Sequence, residues 1–215
     1  MARSPAPASK KRRKTEPSAR RQAILDAGLC VFADDGFAAA KLDDVAAKAG
    51  VAKGTIYLHF RDKQDLFEQI VHAAVAPVLA QLQNVTAMPE LPTRDVLIKV
   101  FDVFRTEILD TDRKLVIRLV LTEGARFPKL AAYYHREVVA MGLDLVRLIA
   151  RRGAARGELP TTDLERFPHL VLAPLLLSVL WDGLFSSFDP LDAEGLLAAH
   201  CKILTKDFDH GRSRS

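Results

Sequence analysis

From Arg20 to Asp35 the apolar residues Ile24, Ala27, Gly28, Val31 and Phe32 recur at the i, i+3, i+4, i+7, i+8 spacing of one helical face. Gly36 then reads as a C-terminal stop. Leu42, Val45, Ala46 and Ala49 repeat the pattern, and Gly50 ends that second helix. A third, Ala52 to Phe60, turns only Ile56 and Phe60 inward. A fourth is predicted from Lys63 to Gln83, with Leu66, Phe67, Ile70 and Ala74 facing the core and Pro77 kinking it or ending it early.

Residues 84–93, NVTAMPELPT, read as a loop. Helices are predicted over 93–110 and 112–124, and from Pro128 to Arg152, where Gly153 and Gly157 bracket the end. Thr162-Asp163-Leu164-Glu165 matches a capping box opening the next helix. Pro168 and Pro174 fall within that helix, so it is bent or starts late, and a last helix spans Leu191 to Lys206. No segment alternates as a strand does. The expected fold is all-α, with about nine helices. It divides into a basic tail over 1–19, a helix-turn-helix head over 20–66 and a helical body over 67–215.

The third helix is unusual. The stretch AKAGVAKGTIYLHF, residues 47–60, leaves Lys53, Thr55, Tyr57 and Leu58 off the apolar face. It also carries Gly54 near its start, which costs a helix about 1 kcal/mol relative to alanine. Short helices joined by short turns suit a helix-turn-helix unit, whose second helix offers small and polar groups to a groove. Lys53 and Tyr57 share a face at i, i+4, and Gly54 allows close backbone approach to a phosphate. Thr55, Tyr57 and His59 supply donors for phosphate oxygens, and Lys63 opens the fourth helix beside its N–H groups. The surface this predicts is one for the major groove of double-stranded DNA.

The run GFAAAKLDDVAAKAGVAKGTIYLHFRDKQDLF, residues 36–67, resembles the DNA-binding head of TetR-type (TetR/AcrR) transcriptional regulators. The resemblance rests on Gly36-Phe37, Asp44-Val45-Ala46, Ala49-Gly50-Val51, Lys53-Gly54-Thr55, Tyr57, His59-Phe60, Lys63 and Leu66-Phe67 at fixed spacing, and EGARFPKLAAYY, 123–134, is similar to a segment common in such bodies. It implies a homodimeric regulator, usually a repressor, released from a palindromic operator by a small hydrophobic ligand. Carried onto this sequence, Lys53 and Leu58 would read base edges, while Thr55, Tyr57, His59 and Lys63 would position the backbone. Leu58 can touch a thymine methyl but donates no hydrogen bond.

Two departures bear on affinity. Ala40-Lys41 stands where many relatives carry Thr or Ser before the second helix, and Ala52 replaces a Ser before the third. Each lost cap costs about 1 kcal/mol, and Lys41 offers a phosphate contact instead. Between Gln22 and Lys63 the head has five basic and six acidic side chains, so its own charge is not a DNA signal. Residues 1–21 hold eight Lys or Arg against one Glu, a net of +7, while the other 194 residues net −3. That tail, rich in Pro, Ala and Ser, reads as disordered, and its run Lys10-Lys11-Arg12-Arg13-Lys14 suits phosphate contact or plain solubility.

The body is less informative. Phe101, Phe104, Arg118, Tyr134, Met141 and Trp181 are candidate pocket residues, with Tyr133 beside them; the plainer reading of any single aromatic is core. Arg105, Glu107, Glu123, His135 and His169 are further buried polar candidates. Leu172, Leu176, Val179 and Leu180 on one helix, with Leu197, Cys201 and Leu204 on the last, form stripes suited to a four-helix dimer contact. The apolar stretch LVLAPLLLSVLW, 170–181, is too short for a membrane span and holds Pro174. Cys30 and Cys201 without CxxC spacing suit a cytoplasmic protein with free thiols. No HExxH, GxGxxG, GxxxxGK[ST] or GxSxG occurs, so neither an enzyme nor a cofactor is expected. Two alternatives stay open: a DNA-binding regulator without a small-molecule effector, and a helical carrier whose head no longer binds DNA.

Overall fold

The first helix, α1 (Pro17–Ala39), is interrupted where the pattern places a stop: Gly36 adopts φ 74° and ψ 160°, outside helical space. The computed structural model describes residues 17–205, so α1 begins at Pro17 rather than Arg20, with proline where the first turn needs no N–H. Residues 1–16, with the run Lys10 to Lys14, and 206–215 lie outside the described residues. Among the described residues there is no strand.

α2 (Leu42–Lys48) closes on Gly50 at φ 67°. The Gly50 N–H donates to the Ala47 carbonyl (3.1 Å) and the Val51 N–H to that of Ala46 (3.0 Å), satisfying two orphan carbonyls at the helix end. α3 (Lys53–His59) follows directly. Lys41 and Ala52 stand at the two N-cap positions and make no side-chain cap, as the sequence leads one to expect. α4 (Lys63–Thr86) is capped by Asp62, whose carboxylate accepts from the Asp65 N–H at 2.8 Å. Of the two outcomes expected at Pro77, a kink or an early end, the early end does not occur: the helix runs through it to Thr86. Pro77 is exposed, so its ring meets solvent rather than a packed neighbour.

Beyond the 87–92 loop, α5 (Thr93–Phe104) passes into a π-helical turn, Arg105–Leu109, and α6 (Lys114–Glu123) returns. α7 (Pro128–Tyr134), a second π turn (His135–Val139) and α8 (Ala140–Ala155) make up the long helix anticipated from Pro128, closed by Gly157 at φ 68°. α9 (Asp163–Arg166) is a single turn, and the expected capping box does not form. Thr162 makes no side-chain cap; the Thr161 hydroxyl, one residue earlier, accepts from the Asp163 N–H at 3.1 Å. Pro168 delays α10 (His169–Leu184), which accommodates Pro174, and α11 (Ala193–Thr205) completes the described chain.

One apolar core crosses from head to body. Ile24, Phe32, Val45 and Ile56 of the first three helices, with Phe60 just past α3, pack with Leu66, Phe67 and Val71 of α4, and also with Val116 and Leu119 of α6 and Leu130 of α7. Phe67 is fully buried there, so truncating it to alanine costs about 3–5 kcal/mol. A second core joins α5, α8, α10 and α11 through Val96, Leu97, Ile149, Val171, Leu175 and Leu197. The head is therefore mounted on α4 and α6, and changes in their seating reach it through shared packing.

Candidate functional site

α3 is held by its inner side alone. Ile56 is buried in the helix and Phe60 just past its end. Lys53, Gly54, Tyr57, Leu58 and His59 are exposed, and Thr55 is half-buried. Leu58, one residue from the end of α3, is 84% accessible. A side chain at Gly54 would meet no atom within 4 Å, so its absence of bulk serves nothing inside the fold. Lys41, at the N-cap of α2, is also exposed and has no ion pair among the described residues.

Other cations of the head are engaged internally. Lys53 Nζ lies 2.7 Å from Asp43 Oδ2, and the Tyr57 hydroxyl stands 3.5 Å from Asp43 Oδ1. That bond, and the Asp43 charge, hold the Lys53 ammonium above the ordinary lysine range. Lys48 pairs with Asp34 (3.0 Å) and Arg61 with Asp65 (3.3 Å). Lys63 does not present its whole ammonium to solvent: it donates to the Phe37 carbonyl (2.6 Å) and the Ala38 carbonyl (2.8 Å). One of its three N–H groups is left for an outside acceptor. The sequence places Asp43 in the second helix, but only the fold shows it reaching across to the third.

The body has a partly open apolar cavity of about 200 Å³ between α4, α5, α6, α8 and α10. Val78 and Leu82 of α4, Val100 and Phe104 of α5, Ile117 of α6 and Leu145 of α8 are in its wall. Its polar lining is confined to Arg113 and Tyr134. The Arg113 guanidinium is bound to the Glu107 carboxylate (2.6 Å) and carbonyl (3.0 Å). Tyr134 has no hydrogen-bond partner among the described residues, and burial pushes its hydroxyl up to about 12.

Of the residues singled out for a pocket, Phe104 and Tyr134 line this cavity. The other four stand elsewhere. Phe101 is buried in the α5–α11 core and lines a separate cleft of about 380 Å³ between those two helices. Arg118 binds Asp182, between α6 and α10. Met141 is exposed on α8, and the Trp181 indole donates to the Asp189 carbonyl at 2.6 Å. Leu172 and Leu176, assigned to a dimer contact, are in the cavity wall, although Leu176 is also partly exposed. Val75, Val78 and Leu79 are cavity residues that their pattern alone does not separate from core.

Four of the residues assigned to a dimer contact, Val179, Leu197, Cys201 and Leu204, are buried within the subunit. The outward stripe on α10 keeps Leu180 of that assignment and adds Leu170, Leu177 and Leu184, with Phe188 just beyond and Ile203 on α11. This spacing of seven, three and four residues is a helical seam. Among the described residues no helix is long and apolar enough to cross a membrane.

The chain matches two family profiles. Residues 24–70 match that of the bacterial regulatory proteins, tetR family, and residues 92–199 match the tetracyclin repressor-like C-terminal domain. It is 31% identical over 187 residues to the HTH-type transcriptional regulator AcrR of Shigella flexneri, covering 82% of this chain and 86% of that one. It is 29% identical over 156 residues to the HTH-type transcriptional repressor BepR of Brucella suis, covering 69% and 74%. The fold superposes on the ketosteroid transcriptional regulator KstR2 of Mycobacterium tuberculosis with a TM-score of 0.69 at 19% identity, over 89% and 98% of the two chains. The head, the body and their order along the chain agree with these matches, and the chain belongs to the tetR family of DNA-binding transcriptional regulators.

Proposed function

We propose that this regulator is a repressor that reads a palindromic operator as a homodimer and is released by a small apolar effector bound in its body. The observation that carries the reading is the one-sided anchoring of α3. Ile56 is completely buried while Leu58, two residues on, is 84% accessible, and Lys53, Tyr57 and His59 are exposed with it. A helix so mounted offers a methyl-seeking side chain and several donors to a groove without disturbing its own packing. Lys41 and the remaining N–H of Lys63 lie at the ends of neighbouring helices, where phosphates would be met.

The cavity supports the effector half of the proposal. Its walls are apolar apart from Arg113 and Tyr134, so it favours an uncharged compact molecule that gives or takes one hydrogen bond at the Tyr134 hydroxyl. α4 has Lys63 against the head at one end and Val78 and Leu82 in the cavity wall toward the other. A ligand that fits better when α4 is displaced would shift the head population away from the DNA-bound arrangement. The dimer would form across the outward α10 and α11 stripe, setting two α3 helices about one helical turn of DNA apart or a multiple of it. Fluorescence anisotropy on a selected duplex tests the reading: Leu58→Asp should abolish specific binding while the dimer persists. Unchanged affinity would remove α3 from the interface.

A further inference from the structure

One carboxylate of α2 binds Lys53 of α3 and faces Tyr57 beside it. Asp43 Oδ2 is 2.7 Å from Lys53 Nζ, and Asp43 Oδ1 is 3.5 Å from the Tyr57 hydroxyl. Asp43 sits in the first turn of α2, where the helix field favours a carboxylate. Lys53 is the cation paired with it, while Lys48 is bound to Asp34 and Arg61 to Asp65. We infer that Asp43 is a specificity-determining positioning residue of the DNA-reading surface, withholding the Lys53 charge from phosphates and reserving its other N–H groups for a base edge. This rests on α3 entering the groove, as proposed above.

The reasoning turns on what a lysine does for DNA binding in general. An unbalanced ammonium gains affinity by displacing counterions from any phosphate, whatever the sequence. A lysine neutralised at 2.7 Å brings almost no net charge to a phosphate, and its carboxylate partner repels that phosphate. The pair is open to solvent, with Lys53 more than half accessible, so groove entry need not dismantle any core. Asp43 takes one of the three ammonium hydrogens, and the other two stay available. A guanine edge offers N7 and O6 as paired acceptors, which a directed ammonium can reach without giving up Asp43. The Tyr57 hydroxyl stands 3.5 Å from the second oxygen, so the same carboxylate faces both exposed groups. Sequence-blind affinity falls while sequence-dependent affinity is kept.

The test uses the full chain and Asp43→Asn, which keeps the side-chain shape and removes the charge. Affinities for a duplex selected on the wild type and for a scrambled duplex of equal length are measured across salt concentrations. Binding of the variant to the scrambled duplex should tighten by roughly five- to ten-fold at low salt, and its salt slope should steepen by about 0.9 per subunit. The ratio of selected to scrambled affinity should fall. Adding Lys53→Gln should return the slope to the wild-type value, an effect that a purely structural role for Asp43 would not produce. A wild type that discriminates between the duplexes, with an Asp43→Asn variant of unchanged slope and ratio or one that weakens equally on both, overturns the role of Asp43 alone. A wild type that does not discriminate overturns the placement of α3 in the groove and this inference with it.

Discussion

Lys63 Nζ lies 2.6 Å from the carbonyl oxygen of Phe37 and 4.9 Å from the centroid of the same residue's ring, so a single ammonium closes the end of α1 from the start of α4. The carbonyls of Phe37 and Ala38 follow the break at Gly36, where regular helix bonding fails. Lys63→Met keeps the aliphatic stem and removes the donors. It should destabilise the protein by about 1–3 kcal/mol, read as a lower thermal midpoint and faster amide exchange near residues 37–40. An unaltered midpoint would mean that the ammonium rests there without holding the break closed.

Gly36 has φ 74°, and a Cβ there would stand 2.9 Å from Glu123 Oε1. Gly36→Ala therefore meets backbone strain and a carboxylate together, and should cost about 1–3 kcal/mol. Combining it with Glu123→Ala should recover only the steric part. Full recovery, followed by chemical denaturation, would show that the backbone at this position is not strained.

The Tyr134 hydroxyl is raised by burial from 10.0 to about 12. Below the ordinary value the phenol is protonated in both folded and unfolded chains, and no linkage arises. As pH climbs from 10.0 toward about 12 the unfolded chain ionises first, so folded stability is lost across that window. The loss attributable to this group is about 2–3 kcal/mol. Compared at each pH, Tyr134→Phe should lose correspondingly less than the wild type; parallel pH curves would contradict the desolvated setting of the hydroxyl.

The outward face of α10 separates two kinds of leucine. Leu184 is 60% accessible, whereas Leu197 on the neighbouring α11 is buried in the subunit. Leu184→Glu together with Leu177→Glu should yield folded monomers by sedimentation. Leu197→Glu should instead unfold the body, because it buries an unpaired charge. A double variant that stays dimeric would move the contact away from this stripe.

Much of this was legible in the chain because local chemistry decides it. Gly50 and Gly157 end their helices with positive φ, and Ile56 and Phe60 anchor α3 as their spacing foretold. Pro77 left two outcomes open, a kink or an early end, because the sequence does not say whether packing of the flanking turns outweighs the lost helix bond; α4 continues to Thr86. The dimer and pocket residues were harder. α10 is apolar on most of its surface, so periodicity cannot say which leucines turn to the core, the cavity or outward; Val179 is buried and Leu180 exposed one residue apart. The Asp43 bridge depends on the angle between α2 and α3, which no spacing in the sequence records.

Selection of random duplexes on the purified full chain at physiological salt puts the DNA-reading dimer to the most direct trial. The expected product is an inverted repeat whose half-sites lie about one helical turn apart or a multiple of it, lost on Leu58→Asp. Recovery of duplexes with no common sequence, bound only in proportion to salt, would contradict it.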